Sequence, residues 1–71
     1  MKKYLIILEK TDTGYSAYSR DLPGCVATGM SKDEAEKNMR EAIEFHVEGL
    51  RAEKLPIPEP QSYSSYVEIT T

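Results

Sequence analysis

Few side chains in this sequence have reactive potential: the carboxylates Asp12, Asp21, Asp33 and Glu34, the single His46 and the single Cys25. Carboxylates gathered at one point hold a divalent cation, and such a cation activates water for phosphodiester hydrolysis. A chain using Asp12, Asp21 and Glu34 in this way would be a minimal metal-dependent nuclease. Each of these residues has a local structural task instead. Asp12 and Asp21 stand in the turn sequences Thr11-Asp12-Thr13-Gly14 and Arg20-Asp21-Leu22-Pro23-Gly24, where a short acceptor folds onto nearby backbone. Asp33 and Glu34 open a helix, whose free N–H groups and dipole favour negative charge. A general base at His46 needs a polar partner, and its neighbours in helical register are Ala42, Ile43 and Leu50. Cys25 has no basic or histidine neighbour to lower its pKa and reads as a small apolar residue. One cysteine and one histidine neither form an internal disulfide nor complete a zinc site. The sequence therefore predicts no enzyme, no bound metal and no cofactor.

The elements that position these residues must fit into 71 residues, which is room for a single domain spanning residues 1–71. A domain this small buries only about 60% of its unfolded surface. Its core rarely supplies more than roughly 3–5 kcal/mol, so disulfides, metals or partner subunits usually add support. With the first two set aside, association is the expected support. Nine basic against twelve acidic residues leave a net charge of −3. That balance suits a basic protein partner better than a phosphate backbone. The longest apolar run, Leu5-Ile6-Ile7-Leu8, is far short of the ~20 residues needed to span a bilayer. A free thiol and no export signal predict a cytoplasmic protein.

The apolar run Tyr4–Leu8 predicts a first strand, Tyr15–Ser19 a second and Cys25–Gly29 a third, the first two joined as a hairpin. Pro23-Gly24 suits the centre of a type II turn between the second and third. Ser31-Lys32-Asp33-Glu34 has the form of a capping box. The helix it opens is expected to run from Lys32 to about Lys54, with Ala35, Met39, Ala42, Ile43, His46, Val47 and Leu50 on one stripe. Alternating prolines in Leu55-Pro56-Ile57-Pro58-Glu59-Pro60 enforce an extended arm. Tyr66, Val67 and Ile69 mark a last strand within Tyr63–Thr70.

The predicted architecture is α+β, in the order β-β-β-α-β: an antiparallel-rich sheet with one helix on one face. The first strand is apolar on both sides, so Leu5 and Ile7 are expected on an open face that a second copy covers. Phe45 lies off the helix stripe beside Gly49, a docking point for another segment or subunit. Contacts with a foreign partner are expected at Tyr18 and Tyr66, since tyrosine is enriched in interfaces, and at the acidic helix positions Glu41, Glu44 and Glu48.

Taken in order, several motifs resemble one family. They are Asp12-x-Gly14-Tyr15, Asp21-Leu22-Pro23-Gly24-Cys25, Gly29, Ser31-x-x-Glu34-Ala35, Leu50 and Pro56-x-Pro58. Together they look like the HicB antitoxins, and the likeness runs from about Tyr4 to Pro60. The resemblance implies a partial RNase H-like domain and a HicA-like toxin partner, a small basic RNA-cleaving protein that the antitoxin binds and blocks. It also implies a homodimer or higher homo-oligomer. Many HicB proteins add a C-terminal DNA-binding segment; this chain resembles the short form, from which no direct DNA binding is expected. The alternatives are an orphan HicB-like adaptor for another protein and the minimal nuclease described above.

Overall fold

A computed structural model describes all of residues 1–71. Strands β1 (Ile7–Lys10), β2 (Tyr15–Tyr18) and β3 (Val26–Gly29) precede one long helix, α1 (Lys32–Ala52). The strands form one antiparallel sheet in the order β1-β2-β3. The predicted α+β class is what forms, a three-stranded antiparallel sheet with one helix packed on one face.

Turn chemistry sets the register. The Thr11 N–H donates to the Gly14 carbonyl at 2.8 Å and the Gly14 N–H to the Thr11 hydroxyl at 3.1 Å, so the hairpin closes on Lys10 and Tyr15. This moves the first strand from the predicted Tyr4–Leu8 to Ile7–Lys10. Tyr4 to Ile6 have no ladder partner because β2 ends at Tyr18 and the chain turns at Arg20-Asp21. The second turn is as the sequence demands. Gly24 takes φ +85° and the Cys25 N–H donates to the Leu22 carbonyl at 3.1 Å, the geometry of a type II turn.

At the helix start, the Ser31 hydroxyl accepts from the Glu34 N–H at 3.1 Å. The return bond from the Glu34 carboxylate is not made, so only half of the box closes. Ser31→Ala is expected to cost about 1 kcal/mol, read as a lower urea midpoint with an unchanged slope. The helix ends at Ala52, two residues before Lys54 takes φ 58°.

Strand alternation points Ala17 into the core with Leu22, Cys25 and Met39, all buried. Tyr4, Ile6, Leu8, Ala27, Ala42 and Ile43 pack around them. Backbones meet closely where β3 hands over to α1. A Cβ on Gly29 would lie 2.8 Å from the Ala35 Cα, and one on Gly14 would lie 3.2 Å from the Met30 Cα. The motif Gly14…Gly29…Ala35 is thus a contact of hairpin, strand and helix that admits only small residues. Only six of 71 residues are buried, which leaves a core too small to hold the fold with much margin.

The predicted last strand is corrected. No strand follows α1, and the final β of the expected β-β-β-α-β order is absent from the single chain. The proline arm does return to the body. Tyr4 donates its hydroxyl to the Pro58 carbonyl at 2.6 Å, and Lys2 pairs with Glu59. Beyond Ser62 the chain finds no ladder partner, and Tyr63, Tyr66, Val67 and Ile69 are all exposed.

Candidate partner-binding surfaces

The carboxylates singled out for metal chemistry are dispersed, and no group of three or more histidine, cysteine, aspartate or glutamate side chains is placed to hold an ion. Asp12 is exposed at the hairpin tip and Glu34 sits at the helix start. Asp21 is engaged elsewhere. Its two carboxylate oxygens accept from the Ser62 N–H at 3.3 Å and the Ser62 hydroxyl at 3.2 Å, a clasp between residues 41 apart. With Pro56 and Pro58 stiffening the approach, this clasp fixes where the arm leaves the domain. Asp21 was expected as a turn residue; its role as an anchor has no signal in the sequence, since nothing local links it to Ser62.

Cys25 is buried, and the loss of water around it pushes its thiol above the usual range, away from nucleophilic chemistry. His46 is half-buried on the helix stripe, as expected. No helix is long and apolar enough to cross a membrane.

What remains are surfaces. The sheet face away from α1 carries an apolar lane. Ile7 pairs with Tyr18 and Tyr18 with Val26, so the three side chains align across all three strands, and Leu5 precedes the lane just outside β1. Val26, 67% exposed, was missed by the sequence reading. The alternation of Val26 and Thr28 against the core residue Ala27 is the signal that would have found it. Tyr18, expected to touch a foreign partner, therefore shares its face with Ile7, expected in self-association.

A second surface is the C-terminal half of α1. Glu41, Glu44 and Glu48 recur at the spacing of one helix face and are all exposed. The stretch from Glu41 to Glu53 holds four glutamates and one basic residue, Arg51, which bonds Glu48 at 3.1 Å. This face lies across the domain from Tyr18, and Tyr66 sits on the free arm, so the five expected partner contacts do not form one patch.

A third surface is the groove between β3 and α1, lined by Gly24, Val26, Phe45 and Gly49 among others. Phe45 is 82% exposed at its rim. It is separate from Leu5 and Ile7, so the expected self-association residues also divide between two places.

Comparison with known proteins gives these surfaces a context. The chain is 36% identical over 64 residues to a 14.9 kDa protein from the rep-hol intergenic region of Haemophilus phage HP1, covering 90% of this chain and 48% of the phage protein. The chain thus spans about half the length of that relative. It is 45% identical over 56 residues to a UPF0150 protein of Synechocystis, covering 78% of this chain and 71% of that one. A UPF0150 protein of Helicobacter pylori is 43% identical over 49 residues, covering 69% and 68%. Among solved structures, a chain of a HicA3 and HicB3 toxin-antitoxin complex superposes with a TM-score of 0.70 at 35% identity, over 83% of this chain and 70% of that chain. Residues 4–70 match the family described as HicB_like antitoxin of bacterial toxin-antitoxin system. With the match spanning nearly its whole length, the chain belongs to the HicB-like antitoxin family.

Proposed function

We propose that this chain is the antitoxin of a type II pair, which binds a small HicA-like RNA-cleaving toxin in the cytoplasm and silences it by covering its working surface. The observation that carries the reading is the likeness to a chain of a HicA3 and HicB3 complex. The physical features agree with it. RNA-cleaving proteins need positive charge to hold their substrate, and this chain concentrates its acidity along Glu41, Glu44 and Glu48. Membership of an antitoxin family supports a role as a binder of another protein. Its thin core and the lane through Ile7, Tyr18 and Val26 favour a chain that also associates with itself.

The electrostatic part of this reading is tested by charge reversal. All three glutamates are exposed and none touches the core, so Glu41→Lys, Glu44→Lys and Glu48→Lys combined leave the fold intact by circular dichroism. Association with a HicA-like toxin encoded beside the chain, followed by stopped flow at low salt, should slow by about tenfold or more. An unchanged rate would move the toxin contact away from this helix face.

A further inference from the structure

The helix outruns the sheet it covers. Four-residue strands are about 14 Å long and stand about 4.8 Å apart, while the 21 residues of α1 reach about 31 Å. Burial follows the mismatch. Ala35 and Met39, both in the first half of α1, are its only buried residues. Val47 and Leu50 continue the apolar stripe past the sheet and are half-buried.

Two grooves flank this overhang, and they differ in charge. The one toward β3 holds Phe45, Gly49 and Leu50, with Glu53 its one carboxylate. The other lies between α1, the N-terminal segment and the proline arm. Tyr4, Ile43, Val47 and Ile57 supply its apolar lining, and Glu44, Glu48 and Glu59 stand among them. Its two cationic side chains are already engaged, Lys2 with Glu59 and Arg51 with Glu48. Glu44 is exposed and has no ion-pair partner.

The arm forms a wall of this groove and is held to the body by side chains. The Tyr4 hydroxyl donates to the Pro58 carbonyl, and Asp21 accepts both bonds from Ser62. No backbone–backbone bond joins the arm to the N-terminal segment. Asp21 is not part of the groove lining, so it acts there only by fixing the course of the arm.

Resting on the antitoxin reading, we propose that this arm-walled groove is the toxin's seat. Its occupant is a segment that sets a lysine or arginine against Glu44 and lays apolar surface on Val47 and Ile57. An acid without an ion pair, beside apolar side chains, suits a cation whose long stem covers them. A protein that holds RNA exposes such side chains. The groove toward β3 offers no carboxylate among its apolar residues before Glu53 at the helix end. The acidic rim governs how fast the partners meet, and the apolar lining how long they stay together. Asp21 is a positioning residue for the seat.

Stopped-flow association and dissociation of the full chain tests this, with the HicA-like toxin encoded beside it as the probe. Neither Val47 nor Ile57 belongs to the cluster around Met39, so Val47→Ser and Ile57→Ser keep the fold by circular dichroism. Together they are expected to speed dissociation about tenfold or more, with association changed by less than about twofold. Phe45→Ser, in the other groove, is expected to change neither rate. Asp21→Ala frees the arm and speeds dissociation as well. Adding Ile57→Ser to it then has little further effect, because the side chain has already left the seat. Unchanged dissociation in the Val47→Ser, Ile57→Ser pair overturns the seat and leaves the antitoxin reading standing, as does faster dissociation of Phe45→Ser. Additive effects of Asp21→Ala and Ile57→Ser overturn the positioning role. A wild-type chain that does not bind the toxin overturns the antitoxin reading itself, and the seat with it.

Discussion

Replacing Leu22 by alanine is expected to leave the domain largely unfolded at 37 °C. Leu22 is wholly buried, one of the two largest fully buried side chains, and it contacts the cluster of Ala17, Cys25 and Met39. Deleting its isobutyl group forfeits the transfer free energy of the lost methyl and methylene groups and leaves a cavity, together costing about 2–5 kcal/mol. A core this size supplies roughly 3–5 kcal/mol in total, so the loss is comparable to the whole. Relaxation offers little relief, because the Leu22 carbonyl is tied to Cys25 and Gly24 fixes the turn. Urea unfolding at one fixed protein concentration checks this, since any association stabilises the folded state in a concentration-dependent way. A variant that loses under 1 kcal/mol would mean that the core around Leu22 is not what holds the sheet to the helix.

Gly29→Ala is the second large effect, by the opposite mechanism. The added Cβ would stand 2.8 Å from both the Ala35 Cα and the Glu34 carbonyl carbon. These are backbone atoms and have no rotamer to yield. The start of α1 must then lift from the end of β3, loosening Met39 above Ala17 and Ala27. Overpacking of this kind costs about 1–3 kcal/mol, and the rigid neighbours place Gly29 at the upper end. Gly49→Ala is the internal control, because its Cβ meets nothing within 4 Å and alanine is the better helix former by about 1 kcal/mol. The thermal midpoint should fall for the first and hold or rise for the second. Equal behaviour of the two would show that the close contact between strand and helix is not real.

Features set by neighbouring residues were legible in the sequence. The Pro23-Gly24 turn, the Ser31 cap, the helix stripe and the buried Cys25 each depend on a few adjacent side chains, and each is found in the fold. The strand boundaries moved by one to three residues because ladder partners, not local preference, decide where pairing stops. Tyr4 and Leu5 have every local reason to be strand and no partner to pair with. The clasp of Asp21 on Ser62 was illegible for a different reason, since it joins residues distant in sequence through an arm whose course only the fold sets. The last strand illustrates the limit most clearly. Residues 65–70 have the composition and period of a strand, but a strand is a relation between two chain segments, and here they pair with none. Of the surfaces, the lane through Ile7 could be half read from the doubly apolar first strand. Its continuation to Val26 needed the register that two turns impose.

At the centre stands the claim that this chain acts by obstruction and breaks no bond itself. The most direct measurement is the rate at which a HicA-like toxin encoded beside it cleaves RNA, followed as the purified chain is titrated in, with a parallel reaction holding the chain, RNA and magnesium alone. Cleavage is expected to fall linearly to nothing at a fixed stoichiometry, and the RNA in the parallel reaction to stay whole. Cleavage that persists in excess chain, or RNA that the chain cuts unaided and Asp21→Asn leaves intact, would contradict it.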